Sequence, residues 1–164
     1  MKYKTAYLGM FTALAMILSY VESLFPSFYG IPGVKLGLAN SMSLVILILI
    51  GVPGAFCVSL LRVILSGFLF GSLFSIAYSM AGALLSLTVM AIAKKSGLFS
   101  VVGISILGGI SHNIGQLLIA ILLVENLKLF YYFPILLLSG LVTGLIVGII
   151  SVEILKRLPG NLLK

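Results

Sequence analysis

The chain has 164 residues, of which 62% are hydrophobic and only 8% are charged, and its mean hydropathy is +1.33. A soluble domain carries roughly 25% charged residues, so this composition excludes a water-soluble globular protein and predicts an all-α integral membrane protein. The net charge of +7 does not indicate nucleic acid as a partner, because the basic residues lie at the ends of apolar segments rather than in one patch.

Six apolar segments follow one another along the chain, each bounded by Gly, Pro or charged residues. In chain order, the predicted helices are 3–25, 34–50, 55–70, 73–93, 99–124 and 133–155. They are joined by a Pro/Gly-rich loop at 26–33, a tight turn at 51–54, a break at 71–72, and loops at 94–97 and 125–132. A spanning helix needs roughly 20 residues, so six of them use nearly the whole chain and predict one compact bundle, a single domain over residues 1–164.

The basic residues are distributed unevenly between the two sides of the predicted bundle. Seven of the ten lie on the side that holds both termini: Lys2, Lys4, Lys94, Lys95, Lys156, Arg157 and Lys164. Because cationic loops stay in the cytoplasm, we expect a multi-pass protein of the cell membrane with both termini cytoplasmic.

Polar side chains within the apolar segments concentrate near the opposite, outer side. Such groups are costly in hydrocarbon and often mark a functional site. The candidate substrate-binding residues are Glu22, Lys35, Asn40, Arg62, Ser66, Tyr78, His112, Asn113 and Gln116. In the first loop, Phe28 and Tyr29 are either interfacial anchors or a gate over the site. The pattern predicts a polar pocket that opens to the outside.

Each of these residues also has a structural interpretation. Arg62 either neutralises Glu22 or holds an anionic ligand group with its planar guanidinium. Lys35 either extends to the lipid headgroups or closes the pocket, and His112 is either an internal hydrogen-bonding residue or a ligand contact. The outer layer is slightly cationic, which favours a small-molecule or lipid-like ligand with an anionic or electron-rich end and an apolar body.

Small residues recur every fourth position on two predicted helices. Thr5, Gly9 and Ala13 form such a stripe on helix 1, and positions 140, 144 and 148 form another on helix 6. These stripes allow close helix packing in lipid, either within the bundle or onto a second membrane protein. Helix 1 is the better candidate for docking.

The sequence lacks the residues of several catalytic classes. It contains no aspartate, and its acids are Glu22, Glu125 and Glu153. Magnesium-dependent diphosphate sites need clustered carboxylates, and the phosphate-binding Gly-x-x-x-x-Gly-Lys-[Ser/Thr] motif is missing. One histidine and one cysteine provide no metal cluster. We therefore expect no catalysis by this chain alone, no cofactor and no metal.

Three segments resemble the family called Gx transporters, also known as heptaprenyl diphosphate synthase component I. They are Pro-Gly-Val-Lys-Leu-Gly-Leu-Ala-Asn (32–40), Ser-Leu-Leu-Arg-Val-Ile-Leu-Ser-Gly (59–67) and Ser-His-Asn-Ile-Gly-Gln (111–116). That family is similar to the S components of energy-coupling factor transporters. The resemblance implies a six-helix protein with an outward pocket lined by these segments, beneath the loop between helices 1 and 2.

The resemblance also implies a partner. S components dock through an Ala-x-x-x-Ala pattern on helix 1 onto a transmembrane coupling subunit with ATPases, and Gly9 and Ala13 correspond to that pattern by size. The first hypothesis is therefore a substrate-binding subunit of an ATP-driven importer. The alternatives are a non-catalytic membrane subunit linked to heptaprenyl diphosphate or isoprenoid quinone synthesis, and a stand-alone proton- or ion-coupled carrier. All three work among membrane lipids.

Overall fold

The computed structural model of the protein describes residues 2–24 and 37–158. Within these residues the chain forms six α-helices, one short 3-10 helix and no strand, which confirms the predicted all-α fold. The α-helices are α1 (Lys2–Leu24), α2 (Leu38–Leu49), α3 (Val52–Phe70), α4 (Leu73–Ser96), α5 (Val101–Val124) and α6 (Phe133–Arg157), and the 3-10 helix is Leu127–Tyr132.

Five of the six α-helices are long and apolar enough to cross a membrane, which fits a multi-pass membrane protein. The exception is α2, whose 12 residues rise about 18 Å against the ~30 Å of a hydrocarbon core. The described part of the predicted segment 34–50 begins at Gly37, which adopts a left-handed conformation with φ 73° immediately before the helix. Helix α2 is therefore shorter than expected in its described part.

Three of the predicted turns and loops are largely helical. Helix α3 begins at Val52 instead of residue 55, with Pro53 in its first turn, where proline is tolerated because that amide has no intrahelical partner. Helix α4 continues through most of the predicted 94–97 loop and ends at Ser96, and the following Gly97, with a φ of 70°, provides the left-handed cap. The predicted 125–132 loop likewise contains the 3-10 helix.

The helices pack in a closed arrangement. Helix α5 makes its most extensive contacts with α4 and α6, and α3 contacts α4 and α2. Because α2 also contacts α6, helices α2 to α6 form a closed ring, and α1 packs on α2 and α3. The α5–α6 seam depends on glycine: a Cβ at Gly140 would lie 2.8 Å from the carbonyl oxygen of Gly109, and one at Gly144 would lie 2.7 Å from Ile106 Cα. The small-residue stripe on helix 6 therefore serves packing within the bundle.

Helix α2 is almost entirely buried, and charged groups of neighbouring helices hold both of its ends. At its start, the backbone N–H of Leu38 donates to Oε1 of Glu22 on α1, at 2.6 Å. At its end, Nζ of Lys94 on α4 donates to the carbonyl oxygen of Leu47, at 2.7 Å. These signs match the helix dipole, and they satisfy backbone groups that have no water partner in hydrocarbon.

The stripe on helix 1 has a different environment. Thr5, Gly9 and Ala13 are exposed, whereas Phe11 and Ala15 of the same helix are buried in the core. A Cβ at Gly9 would meet no atom within 4 Å. This face of α1 is thus open in the described part of the chain.

Candidate functional site

A cavity lies at one end of the bundle, where α1, α3 and α5 end and α2, α4 and α6 begin. It offers ≈ 80 Å³ to the centres of water-sized molecules, several times the ~10–15 Å³ that one water requires. All six helices contribute to its lining. Seven of the predicted binding residues line it: Glu22, Asn40, Arg62, Ser66, His112, Asn113 and Gln116.

The remaining predicted site residues have other placements. Tyr78 does not line this cavity, whereas Ser75 and Ser79 of the same helix do, because Tyr78 lies about 100° around α4 from Ser79. Lys35, Phe28 and Tyr29 lie outside the described residues, so their roles stay predictions.

Three polar lining residues, on α1 and α6, were not predicted from the sequence. Ser19 and Ser23 of α1 flank Glu22, and Thr143 brings α6 into the site. The helical spacing of Ser19, three positions before Glu22, is a signal that could have found it. Thr143 gave no such signal, since only the packing of α6 against α5 places it at the cavity.

Arg62 is the most unusual group at the site. It is only 8% exposed, and its Nη2 donates to Oδ1 of Asn40 at 3.0 Å. Its Nε–H has no hydrogen-bond partner within the described part of the chain. A charged side chain at membrane depth costs at least about 2.5–3.5 kcal/mol, and an unsatisfied donor adds to that cost. The guanidinium is therefore only partly satisfied by the described residues.

Glu22 interacts both with Arg62 and with the start of α2. Its charge is within electrostatic reach of Arg62, which is one of the two interpretations of Arg62 that the sequence offers. Its carboxylate also accepts the hydrogen bond from the first residue of α2. The same side chain thus links α1, the start of α2 and the wall of the cavity.

The α5 wall depends on a glycine of α4. His112 and Gln116 lie one turn apart on one face of α5 and pack over Gly82, where a Cβ would come within 2.8 Å of His112 Cε1 and 2.9 Å of Gln116 Cγ. Sequence reasoning did not single out Gly82, because its effect is visible only once α4 and α5 are placed together. Asn113 donates from Nδ2 to the carbonyl oxygen of Leu136 at 2.8 Å, so it also ties α5 to the start of α6.

The described lining supplies one guanidinium, one carboxylate, one imidazole, side-chain amides and several hydroxyls. This set can hold an anionic group through Arg62 and form hydrogen bonds with neutral polar groups around it. Among the described residues, no group of three or more His, Cys, Asp or Glu side chains is placed to bind a metal ion.

The chain matches the family described as heptaprenyl diphosphate synthase component I over residues 11–154. The protein belongs to this family. The match to heptaprenyl diphosphate synthase component I includes most of α1 and α6 and everything between them, and hence every helix that lines the cavity. No curated protein and no solved structure matches the chain.

Proposed function

We propose that this protein is the substrate-binding subunit of an ATP-driven importer, similar to an S component, and that it captures a small anionic or amphipathic organic solute in its cavity. The observation that carries the proposal is the buried Arg62, whose Nε–H faces no acceptor among the described residues at a cavity formed by all six helices. An anionic ligand group beside the guanidinium would neutralise the buried charge and offset the cost of burying it.

The proposed orientation places the cavity on the outer face of the cell membrane. Lys94 and Lys95 end α4, and Lys156 and Arg157 end α6, so these cations lie at the end of the bundle opposite to the cavity. Cationic ends remain in the cytoplasm. In this orientation both termini are cytoplasmic, and the cavity receives its ligand from outside.

The energising partner would dock on α1. The stripe of Thr5, Gly9 and Ala13 is exposed, and small residues on an exposed helix face allow a second membrane helix to approach closely. The absence of aspartate from the sequence supports a chain that binds and releases its ligand without catalysis. The energy for import would then come from ATPases attached to the coupling subunit.

The family membership favours a second candidate function. In it, this chain is a non-catalytic membrane subunit that holds a precursor of heptaprenyl diphosphate or isoprenoid quinone synthesis. An anionic headgroup would bind at Arg62 as in the first proposal. The cavity is too small for a long prenyl chain, which would leave towards the lipid, for example past the contact of Tyr20 on α1 with Phe70 on α3, whose ring centroids are 5.0 Å apart.

Affinity purification from gently solubilised native membranes, with mass spectrometry of the co-purifying proteins, separates the two functions. We expect a transmembrane coupling subunit and its ATPases with the wild type and with Thr88→Leu, which changes an exposed residue of α4. We expect their loss with Gly9→Leu, because that change fills the open face of α1. Recovery of a soluble prenyl synthase instead would overturn the importer proposal in favour of the second function.

The cavity is tested on the same preparations. Small molecules released from the purified protein by denaturation are identified by mass spectrometry. Arg62→Met should abolish retention of the ligand, while Leu61→Met, at a neighbouring residue that is 43% exposed, should preserve it. Equal retention by Arg62→Met and the wild type would show that the cavity is not the binding site.

A further inference from the structure

A second, narrower cavity continues from the first towards the centre of the bundle. The two share Gly37, Asn40, Gly109 and Thr143 in their walls, and the second holds ≈ 20 Å³ for the centres of water-sized molecules. Its deeper walls lie one helical turn beyond the shared residues, which corresponds to about 6 Å along a helix axis. We call this cavity the crevice.

The crevice has a mixed lining. Leu44, Met90 and Val147 are apolar, whereas Ser86 and Ser105 present hydroxyl groups. These two serines are only 5% and 3% exposed, and no hydrogen bond joins either hydroxyl to another described residue. Buried hydroxyl groups normally have a hydrogen-bond partner, so the crevice is suited to a ligand that carries a hydrogen-bonding group.

The charged residues of the site indicate the chemistry of the other end of the ligand. Arg62 and Glu22 are the charged side chains in the described lining of the first cavity, and the described lining of the crevice is uncharged. Arg62 contributes one positive charge and Glu22 one negative charge. Because Glu22 offsets Arg62, the described lining suits at most one negative charge near Arg62 and a neutral group in the crevice, and it does not suit the several negative charges of a diphosphate.

We propose that the ligand is a monocarboxylate whose carboxylate binds Arg62 and whose neutral end enters the crevice and presents one hydrogen-bonding group to Ser86 and Ser105. The proposal rests on the proposed function, since it names the substrate class of the same site. The narrow crevice fits such a ligand, because the glycine backbones and two serines that line it leave room for a slender chain.

Calorimetric titration of the purified full-length protein tests the proposal with three six-carbon probes. Hexanoate has an apolar end, 6-hydroxyhexanoate a neutral polar end, and adipate a second carboxylate. We expect 6-hydroxyhexanoate to bind about fivefold more tightly than hexanoate, the gain of one net hydrogen bond. Adipate should bind most weakly, because its second charge would enter an uncharged crevice.

Variants then separate the two ends. The double change Ser86→Ala and Ser105→Ala should remove the preference for the hydroxyl probe and leave the affinity for hexanoate within twofold. Thr88→Val, which removes an exposed hydroxyl on the same helix as Ser86, should keep the preference. Arg62→Met should abolish binding of all three probes.

Several outcomes would overturn this inference alone. In each of them, retention of the natural ligand still depends on Arg62. The outcomes are equal affinity for hexanoate and 6-hydroxyhexanoate, tightest binding of adipate, or binding of none of the three probes. Tighter binding of isopentenyl diphosphate than of any of the three probes is a fourth. Failure of the proposed function is a different result, in which Arg62→Met retains the natural ligand as well as the wild type does.

Discussion

The close contact between α5 and α6 predicts that Gly109→Ala destabilises the protein. A Cβ at this position would lie 2.4 Å from the carbonyl oxygen of Gly140 and 3.1 Å from Gly144 Cα. Carbon–oxygen contacts between packed backbones are about 3.3 Å or longer, so Gly109→Ala must separate the helices by about 1 Å. A gap of that size forfeits roughly a quarter to a half of the dispersion attraction across a contact, and overpacking of this kind costs about 1–3 kcal/mol.

Gly9→Ala provides the matched control. It also replaces a glycine within a helix, but its Cβ would meet no atom within 4 Å. Both changes gain the same helix propensity, about 0.5–1 kcal/mol, which cancels when the two variants are compared. Gly109→Ala should therefore be about 1–3 kcal/mol less stable than Gly9→Ala.

The assay is unfolding of the purified protein by sodium dodecyl sulfate in mixed micelles, followed by far-ultraviolet circular dichroism. Circular dichroism suits a chain that contains no tryptophan. Equal free energies of unfolding for Gly109→Ala and Gly9→Ala would refute the close approach of α5 and α6.

Three further predictions concern other contacts. Lys94→Met should lower the unfolding free energy by about 1 kcal/mol, because the hydrogen bond to the end of α2 is lost. The control Lys95→Met should change the unfolding free energy by less than about 0.5 kcal/mol. Equal effects of the two changes in the same detergent titration would contradict the capping role of Lys94. Ser59 donates to Ser43 at 2.6 Å in a buried pair, so a double-mutant cycle with alanine should give a coupling energy of about 0.6–1.7 kcal/mol. A coupling of zero would exclude that hydrogen bond. Gly82→Ala should reduce retention of the co-purified ligand, since the new methyl group displaces the side chains of the α5 wall, and it should keep the stability of the wild type because those side chains can move. Unchanged retention would show that the α5 wall does not contact the ligand.

The cavity volume bears on both candidate functions. Its ≈ 80 Å³ suits a compact headgroup or a small solute rather than a heptaprenyl chain enclosed in the bundle. A protein that held such a chain would need to bind only its polar end and leave the remainder in lipid. The end-group probes and the co-purification experiment therefore distinguish a solute carried across the membrane from a lipid held at its surface.

Much of the candidate site was accessible from the chain alone because polar residues are rare in it. Arg62, His112 and Gln116 stand out in apolar segments, and alternation of the helices through the membrane brings them to one end. Tyr78 shows where this argument fails: depth in the membrane does not define the helix face. The rotation of α4 places Ser75 and Ser79, instead of Tyr78, at the cavity.

The sequence by itself determined that the protein is helical and lies in a membrane, since 8% charged residues cannot cover a water-facing surface and the apolar runs have spanning length. It also determined which end of the bundle is polar, because helix order and residue depth follow from the linear pattern. Only the tertiary structure decided that the glycines of helix 6 face α5 and that the stripe on helix 1 is open in the described part of the chain. It also decided that Glu22 and Lys94 hold the two ends of α2, and that a crevice extends below Arg62. These features depend on the rotation and contact of helices that are distant in the chain, and a one-dimensional pattern of residue types contains no measure of either.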